Sequence, residues 1–196
     1  MTNVIDRGVS ALVLFLVSLI FTPTLAAQDM PIPVDLQHKL IAKIYSFDRS
    51  LQGKPGKELR IAIVYQGNLK SSLNTRTALL KETKKLAKDA ICDRPVRWLE
   101  LNLSAGADIK AVAARDSIDI FYICPLRAIE VGDIAAVSRE FKIRTCTGIP
   151  EYIAVGLAVG LDIKGEKPQI VINLPAAKSE GADFDARLLQ LARVVE

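Results

Sequence analysis

Apolar residues in this chain recur with two different periods, and the alternation between the two predicts the architecture. Leu36, Leu40, Ile41, Ile44 and Phe47 repeat at helical spacing, so a helix is expected from about Val34 with that face turned inward. Residues 59–66 read Leu-Arg-Ile-Ala-Ile-Val-Tyr-Gln, a compact apolar run suited to a central strand. A helix over 73–90 should bury Leu79, Leu80, Leu86 and Ala87. Strands at 96–101, 118–124 and 142–147 then alternate with helices at 108–115 and 129–141. Such alternation implies βαβ crossovers and a largely parallel sheet.

The pattern changes after residue 150. Residues 152–163 are apolar but carry Gly156 and Gly160, a spacing that can mark close helix packing in a membrane. The run is short, 164–167 reads as a turn and 169–174 is rich in Ile and Val, so a β-hairpin is the better reading. Residues 175–182 read as a surface loop. Phe184, Leu188, Leu191, Ala192 and Val195 then recur at helical spacing, with Asp183 or Asp185 placed to cap the first turn. The expected fold is α/β: a mainly parallel sheet flanked by helices, with a C-terminal antiparallel hairpin and a closing helix.

Arg7 precedes an apolar run over 9–21, and Pro23-Thr24-Leu25-Ala26-Ala27 closes it with small residues. This is the layout of a cleaved signal peptide over residues 1–27, which exports the domain at 28–196. The run is short for a membrane span of about 20 residues, and an uncleaved anchor is the alternative. Half of the 196 residues are hydrophobic and 24% are charged, which describes one globular domain rather than a disordered chain. The net charge of +4 is spread along the chain. Lys81, Lys84, Lys85 and Lys88 are its densest cluster, and their helical spacing describes a solvated face rather than a nucleic-acid site.

Candidate chemistry is sparse. The single histidine, His38, sits between Gln37 and Lys39 on what reads as the polar flank of the first helix, with no ligands to complete a metal centre. The Gly-Lys pairs at 53–57 precede the first strand, whereas a phosphate cradle must follow one and open a helix. Gly67, Asn68, Ser71 and Ser72 do follow a strand and open a helix, and they are the candidate site for a small anion or carboxylate. Of the thiols Cys92, Cys124 and Cys146, an oxidising compartment favours one pair and one left over, with all three pairings open. Phe47, Asp48 and Arg49 form a turn that a partner could read, although core packing is the more ordinary role for Phe47. Nothing in the pattern calls for a cofactor.

Two blocks carry a family resemblance. Val34-Asp35-Leu36-Gln37, running on through Lys43 to the Phe47-Asp48-Arg49 turn and Leu51, is similar to the opening of one branch of YfiR-like proteins. Ile172, Asn173, Leu174, Ala176, Ala177, Leu188, Leu189, Leu191 and Ala192 resemble the C-terminal signature of the same family. Asp185 stands where members often have a serine, and either residue can cap. The resemblance implies a periplasmic regulator that binds the sensor part of an inner-membrane diguanylate cyclase, or another membrane sensor. Holding a cyclase inactive in this way lowers cyclic-di-GMP and biofilm formation, and it needs no catalytic residues. The resemblance also implies a Cys92–Cys124 bridge, with Cys146 free or redox-sensitive. A small ligand and a homodimer are compatible with it. The alternative is a periplasmic small-molecule-binding protein serving a transporter or sensor.

Overall fold

The computed structural model describes residues 30–54, 58–85, 90–129 and 131–196. The expected signal peptide, Leu86, Ala87 and Lys88 lie outside the described residues.

The first helix, α1, is Val34–Tyr45, and a short second helix, α2, is Arg49–Gly53. Strand β1 (Leu59–Tyr65) leads into α3 (Lys70–Lys85). Strands β2 (Ala90–Ile91) and β3 (Arg94–Asn102) form a tight hairpin, which a 3-10 turn and α4 (Ile109–Asp116) follow. The chain continues through β4 (Ile120–Ile123), α5 (Val131–Phe141), β5 (Arg144–Thr147) and α6 (Glu151–Ala154). It ends with β6 (Val159–Lys164), β7 (Lys167–Asn173), α7 (Leu174–Ser179), α8 (Ala186–Leu191) and β8 (Arg193–Val195).

All these strands join one sheet in the order β2-β3-β1-β4-β5-β6-β7-β8. The run β3-β1-β4-β5-β6 is parallel, and β6 with β7 makes the antiparallel hairpin. Strand β1 is buried on both faces, which is why it reads as a nearly unbroken apolar run. Ile61 and Ile63 face a core shared with Ile41, Ile44, Leu79 and Leu188 from α1, α3 and α8. Ala62 and Val64 face a second core with Ala113, Ile134 and Tyr152 from α4, α5 and α6. No described helix is long and apolar enough to cross a membrane.

Helix α1 corrects the sequence reading in one respect. Its buried face is Gln37, His38, Ile41, Ile44 and Tyr45, while Leu36, Leu40 and Phe47 are only half-buried. His38 is therefore a core residue, 4% exposed, with its ring 5.6 Å from that of Trp98. Gln37 is tolerated inside because its hydrogen bonds are met: it donates to Ile32 O at 2.6 Å and accepts from the Tyr122 hydroxyl at 2.7 Å. Gly148 makes room for it, since a Cβ there would stand 2.3 Å from Gln37 Oε1.

The C-terminal stretch differs twice more. Residues 175–182 are not all loop: Pro175 stands second in α7, in the first turn where its missing N–H costs nothing, and Asn173 Oδ1 caps the Ala176 amide at 3.0 Å. The closing helix stops at Leu191, and Arg193–Val195 pairs with β7 as a parallel strand. Two consecutive valines suit extended backbone, and the free edge of β7 offers hydrogen bonds that another helical turn would forgo. Leu191 is left 74% exposed as a result. The hairpin itself begins at Val159, after α6. Gly160 lies on it where a Cβ would meet the Ile153 side chain at 2.5 Å, the close approach expected of a glycine in this run.

Candidate functional site

A dense polar construction among the described residues is built around the Phe47-Asp48-Arg49 turn. Residue 48 ends α1's trailing turn and caps α2, a position that suits Asp because its carboxylate reaches the amides ahead of it. Asp48 Oδ1 accepts from Ser50 N at 3.0 Å, Ser50 Oγ at 2.6 Å, Leu51 N at 3.4 Å and Asp183 N at 3.0 Å. Oδ2 accepts from Arg144 Nε at 3.0 Å. Arg144, the first residue of β5, also donates to Ser50 Oγ, to Gly181 O at 2.9 Å and to Lys142 O at 3.2 Å. The Asp48 side chain is fully buried and that of Arg144 is 5% exposed. Burying two charges is costly unless every lone pair and proton finds a partner, and here nearly all do.

The C-terminal segment closes over this pair. Asp48 and Phe184 form an isolated antiparallel bridge, Arg49 N donates to Asp183 O and Asp185 N to Phe47 O, each at 2.9 Å. Outside, the Arg49 guanidinium forks onto the Asp183 carboxylate at 2.7 and 3.0 Å. Both side chains are more than half exposed. Phe47 is half-buried against the core, with Lys43 Nζ 5.2 Å and the Arg187 guanidinium carbon 5.5 Å from its ring centroid. Of the three residues expected at a partner surface, Arg49 faces outward, Phe47 is half-buried with its ring against the core, and Asp48 anchors the turn from within. The sequence reading missed Arg144, Asp183 and Glu180, which complete the construction. A lone Arg opening a short, otherwise buried strand was the available signal.

Glu180, at the end of α7, lies beneath the same segment and is fully buried. Thr145 N donates to Oε2 at 2.7 Å, and Thr145 Oγ1 lies 2.7 Å from Oε1. Burial pushes this carboxyl up to about 8 against those bonds and the nearby Arg139 and Arg144 charges. The Tyr45 hydroxyl donates to Thr145 O at 3.0 Å, and burial raises that phenol well above its ordinary value.

The candidate anion residues sit at the other end of the sheet, past the C-terminal ends of β1 and β4. This is the place where strand order reverses and open α/β sheets receive ligands. Gly67 N donates to Asn102 Oδ1 at 2.9 Å and Asn68 N to Ser104 Oγ at 3.4 Å. Ser72 is buried and its hydroxyl accepts from Gln66 N at 2.9 Å. Asn68 and Ser71 are exposed. An anion at this loop would compete with three internal bonds.

The three thiols are unbonded in this structure. Cys92 lies in the β2–β3 turn, where β3 begins, with its sulfur 3.6 Å from Tyr45 O. Cys124 follows the end of β4, and its amide donates to Val64 O. By register the two occupy opposite ends of the sheet, whereas a disulfide needs Cα atoms within about 7 Å. The pairing implied by the resemblance is therefore not formed here. Cys146 is two residues from Cys124 across the β4–β5 ladder, on the same buried face. Burial raises all three thiols. No group of three or more His, Cys, Asp or Glu side chains able to hold a metal occurs among the described residues.

These features define an open, doubly wound α/β domain with one end locked by buried charge. The chain belongs to the YfiR/HmsC-like family, whose model matches residues 35–193. No curated protein matches it. Solved structures with a similar fold include a conserved domain protein from Vibrio cholerae, at 13% identity and a TM-score of 0.57 over 84% of this chain and 60% of that one. Another is the ABC domain in complex with L-Trp from Streptococcus pneumonia, at 12% identity and a TM-score of 0.57 over 83% of this chain and 62% of that one. A third is a substrate-binding protein with adhesive properties from Clostridium difficile, at 13% identity and a TM-score of 0.56 over 84% of this chain and 60% of that one. This chain spans about three fifths of the length of these structures.

Proposed function

We propose that this protein is a periplasmic regulator, not an enzyme, that binds the periplasmic sensor part of an inner-membrane diguanylate cyclase and holds it inactive. Its output is lower cyclic-di-GMP and less biofilm. Membership of the YfiR/HmsC-like family over nearly the whole described domain carries this reading. Physically, repression requires tighter binding to the inactive conformation of the partner, because equal affinity for two states shifts neither. The solvent side of the locked turn, Arg49 and Arg187 with the half-buried Phe47, is the surface we assign to that contact. One helical turn beyond Arg187, Leu191 extends it with exposed apolar area.

Deleting the gene and measuring intracellular cyclic-di-GMP tests the reading. A rise reversed by the exported form, but not by a form lacking the residues before Gln28, is the expected result. An unchanged level contradicts it.

A second reading has its own support. The fold neighbours include a protein described with bound L-Trp and another described as substrate-binding, and the Gly67 loop of this chain lies where strand order reverses, the place where such sheets take ligands. A small molecule that raises the melting temperature of the purified domain with no membrane partner present favours this alternative.

A further inference from the structure

The short segment ahead of α1 is built into the domain. Ile32 is 1% exposed, in the core it shares with Ile41, Ile44 and Leu79, and its carbonyl accepts one N–H of the buried Gln37 amide at 2.6 Å. Two residues earlier, the half-buried Met30 packs against the core on the other face of the sheet. Its sulfur lies 3.9 Å from Gln37 Nε2 and 3.7 Å from Thr75 Oγ1. These contacts fix where Met30 sits. Thr75 is in the second turn of α3 and donates to Ser71 O at 2.9 Å, next to the loop that ends β1. Gln37 reaches the Tyr122 hydroxyl of β4 and lies against Gly148, just past β5. Residues 30–32 therefore lie at the carboxyl ends of β1, β4 and β5, where strand order reverses and sheets of this kind take ligands.

The segment is held firmly at one end and weakly at the other. Gln37 is 0% exposed and has two amide protons; among the described residues one meets the Ile32 carbonyl and the other only a thioether, a weak acceptor. Thr75 has a single proton, and Ser71 O stands closer to it than the sulfur does. A buried donor met so weakly gains from a better acceptor. Both side chains that meet the sulfur are neutral, so the arrangement suits an uncharged ligand.

We propose that Met30 is a plug held in cis over a ligand site: a small uncharged molecule, with an oxygen acceptor on an apolar body the size of a methionine side chain, displaces Met30 and takes the second Gln37 N–H. Ile32 stays anchored, and Pro31 separates the part that moves from the part that holds. The site belongs to the isolated domain and depends on no membrane partner.

The test uses the purified exported protein and N-acetyl-L-methioninamide, which carries the displaced side chain together with amide oxygens. Met1 and Met30 are the only methionines in the sequence, so the Met30 methyl signal is assigned by its loss in Met30→Leu. As the probe is added, that signal is expected to move toward the position of an exposed methionine. One Gln37 side-chain amide proton should shift downfield at the same midpoint, while the Ile32 methyl signals stay in place. In Met30→Gly the tethered competitor is gone, and the midpoint of the Gln37 shift should fall by about tenfold or more. A Met30 methyl that stays in place throughout the titration would overturn the plug, as would equal midpoints in the two proteins or a Gln37 amide that does not respond. The methyl readout needs no truncated side chain, so it decides the matter should Met30→Gly fail to fold. No cyclase enters the experiment, so failure of the plug and failure of the proposed function are told apart.

Discussion

The two ends of this sheet are fastened by different physics. Where β5 begins, a buried Asp48–Arg144 pair draws in Ser50, Gly181 and Asp183, and a second buried carboxylate, Asp119, takes Lys54 and the Arg60 amide. Where β1 ends, the loop at Gly67 and Asn68 is held by neutral side chains, Asn102 and Ser104, near the surface. Neutral hydrogen bonds of this kind contribute about 1 kcal/mol each and exchange readily with water. A buried ion pair, by contrast, fails at a cost of several kcal/mol when one member is removed. One end therefore presents its outward side chains in a fixed geometry, as a protein-binding surface needs. The other can rearrange, as a loop receiving a ligand must.

Breaking the charged end should give the largest effect. Asp48→Ala strands Arg144 in the interior, and urea denaturation is expected to report a loss of about 3–5 kcal/mol. Removing both charges together, as Asp48→Ala with Arg144→Met, should cost less than the single change, since no buried charge is left alone. A tighter but uncharged contact comes next. Gly148→Ala pushes a methyl into Gln37, whose amide is pinned by Tyr122 and Ile32, and overpacking of this type costs about 1–3 kcal/mol. At the neutral end, Asn102→Ala releases the Gly67 amide to water and should cost about 0.5–1.5 kcal/mol in the same assay. Smallest in stability is Arg49→Ala: the pair with Asp183 is solvent-exposed, so the urea midpoint should stay where it is while repression in cells weakens.

Much of this was legible in the chain. The central strands declared themselves because they are apolar on both faces, and Asp185 stands where the start of the last helix needs it. Alternation of strand and helix was sufficient for the parallel order. What periodicity could not show is which polar residues lie inside. Gln37 and His38 look like the polar flank of an amphipathic helix, and their burial depends on Tyr122, Gly148 and Trp98, which lie far along the chain. The same holds for the site. Phe47, Asp48 and Arg49 stood out as a turn, but the roles of Arg144, Asp183 and Glu180 arise only once β5 and the C-terminal segment meet that turn. The end of the last helix was misread because Leu191, Ala192 and Val195 keep helical spacing, while the open edge of β7 claims residues 193–195 for the sheet.

The most direct test contrasts one residue from each end. Cells lacking the gene are complemented with the exported protein carrying Phe47→Asp, or Leu73→Ser as a control at the Gly67 end, where Leu73 is exposed. Intracellular cyclic-di-GMP is measured after circular dichroism of both purified proteins has shown that they are folded. The account predicts that Phe47→Asp leaves cyclic-di-GMP as high as the deletion does, and that Leu73→Ser restores repression. A folded Phe47→Asp protein that represses as well as the unmodified one would contradict it.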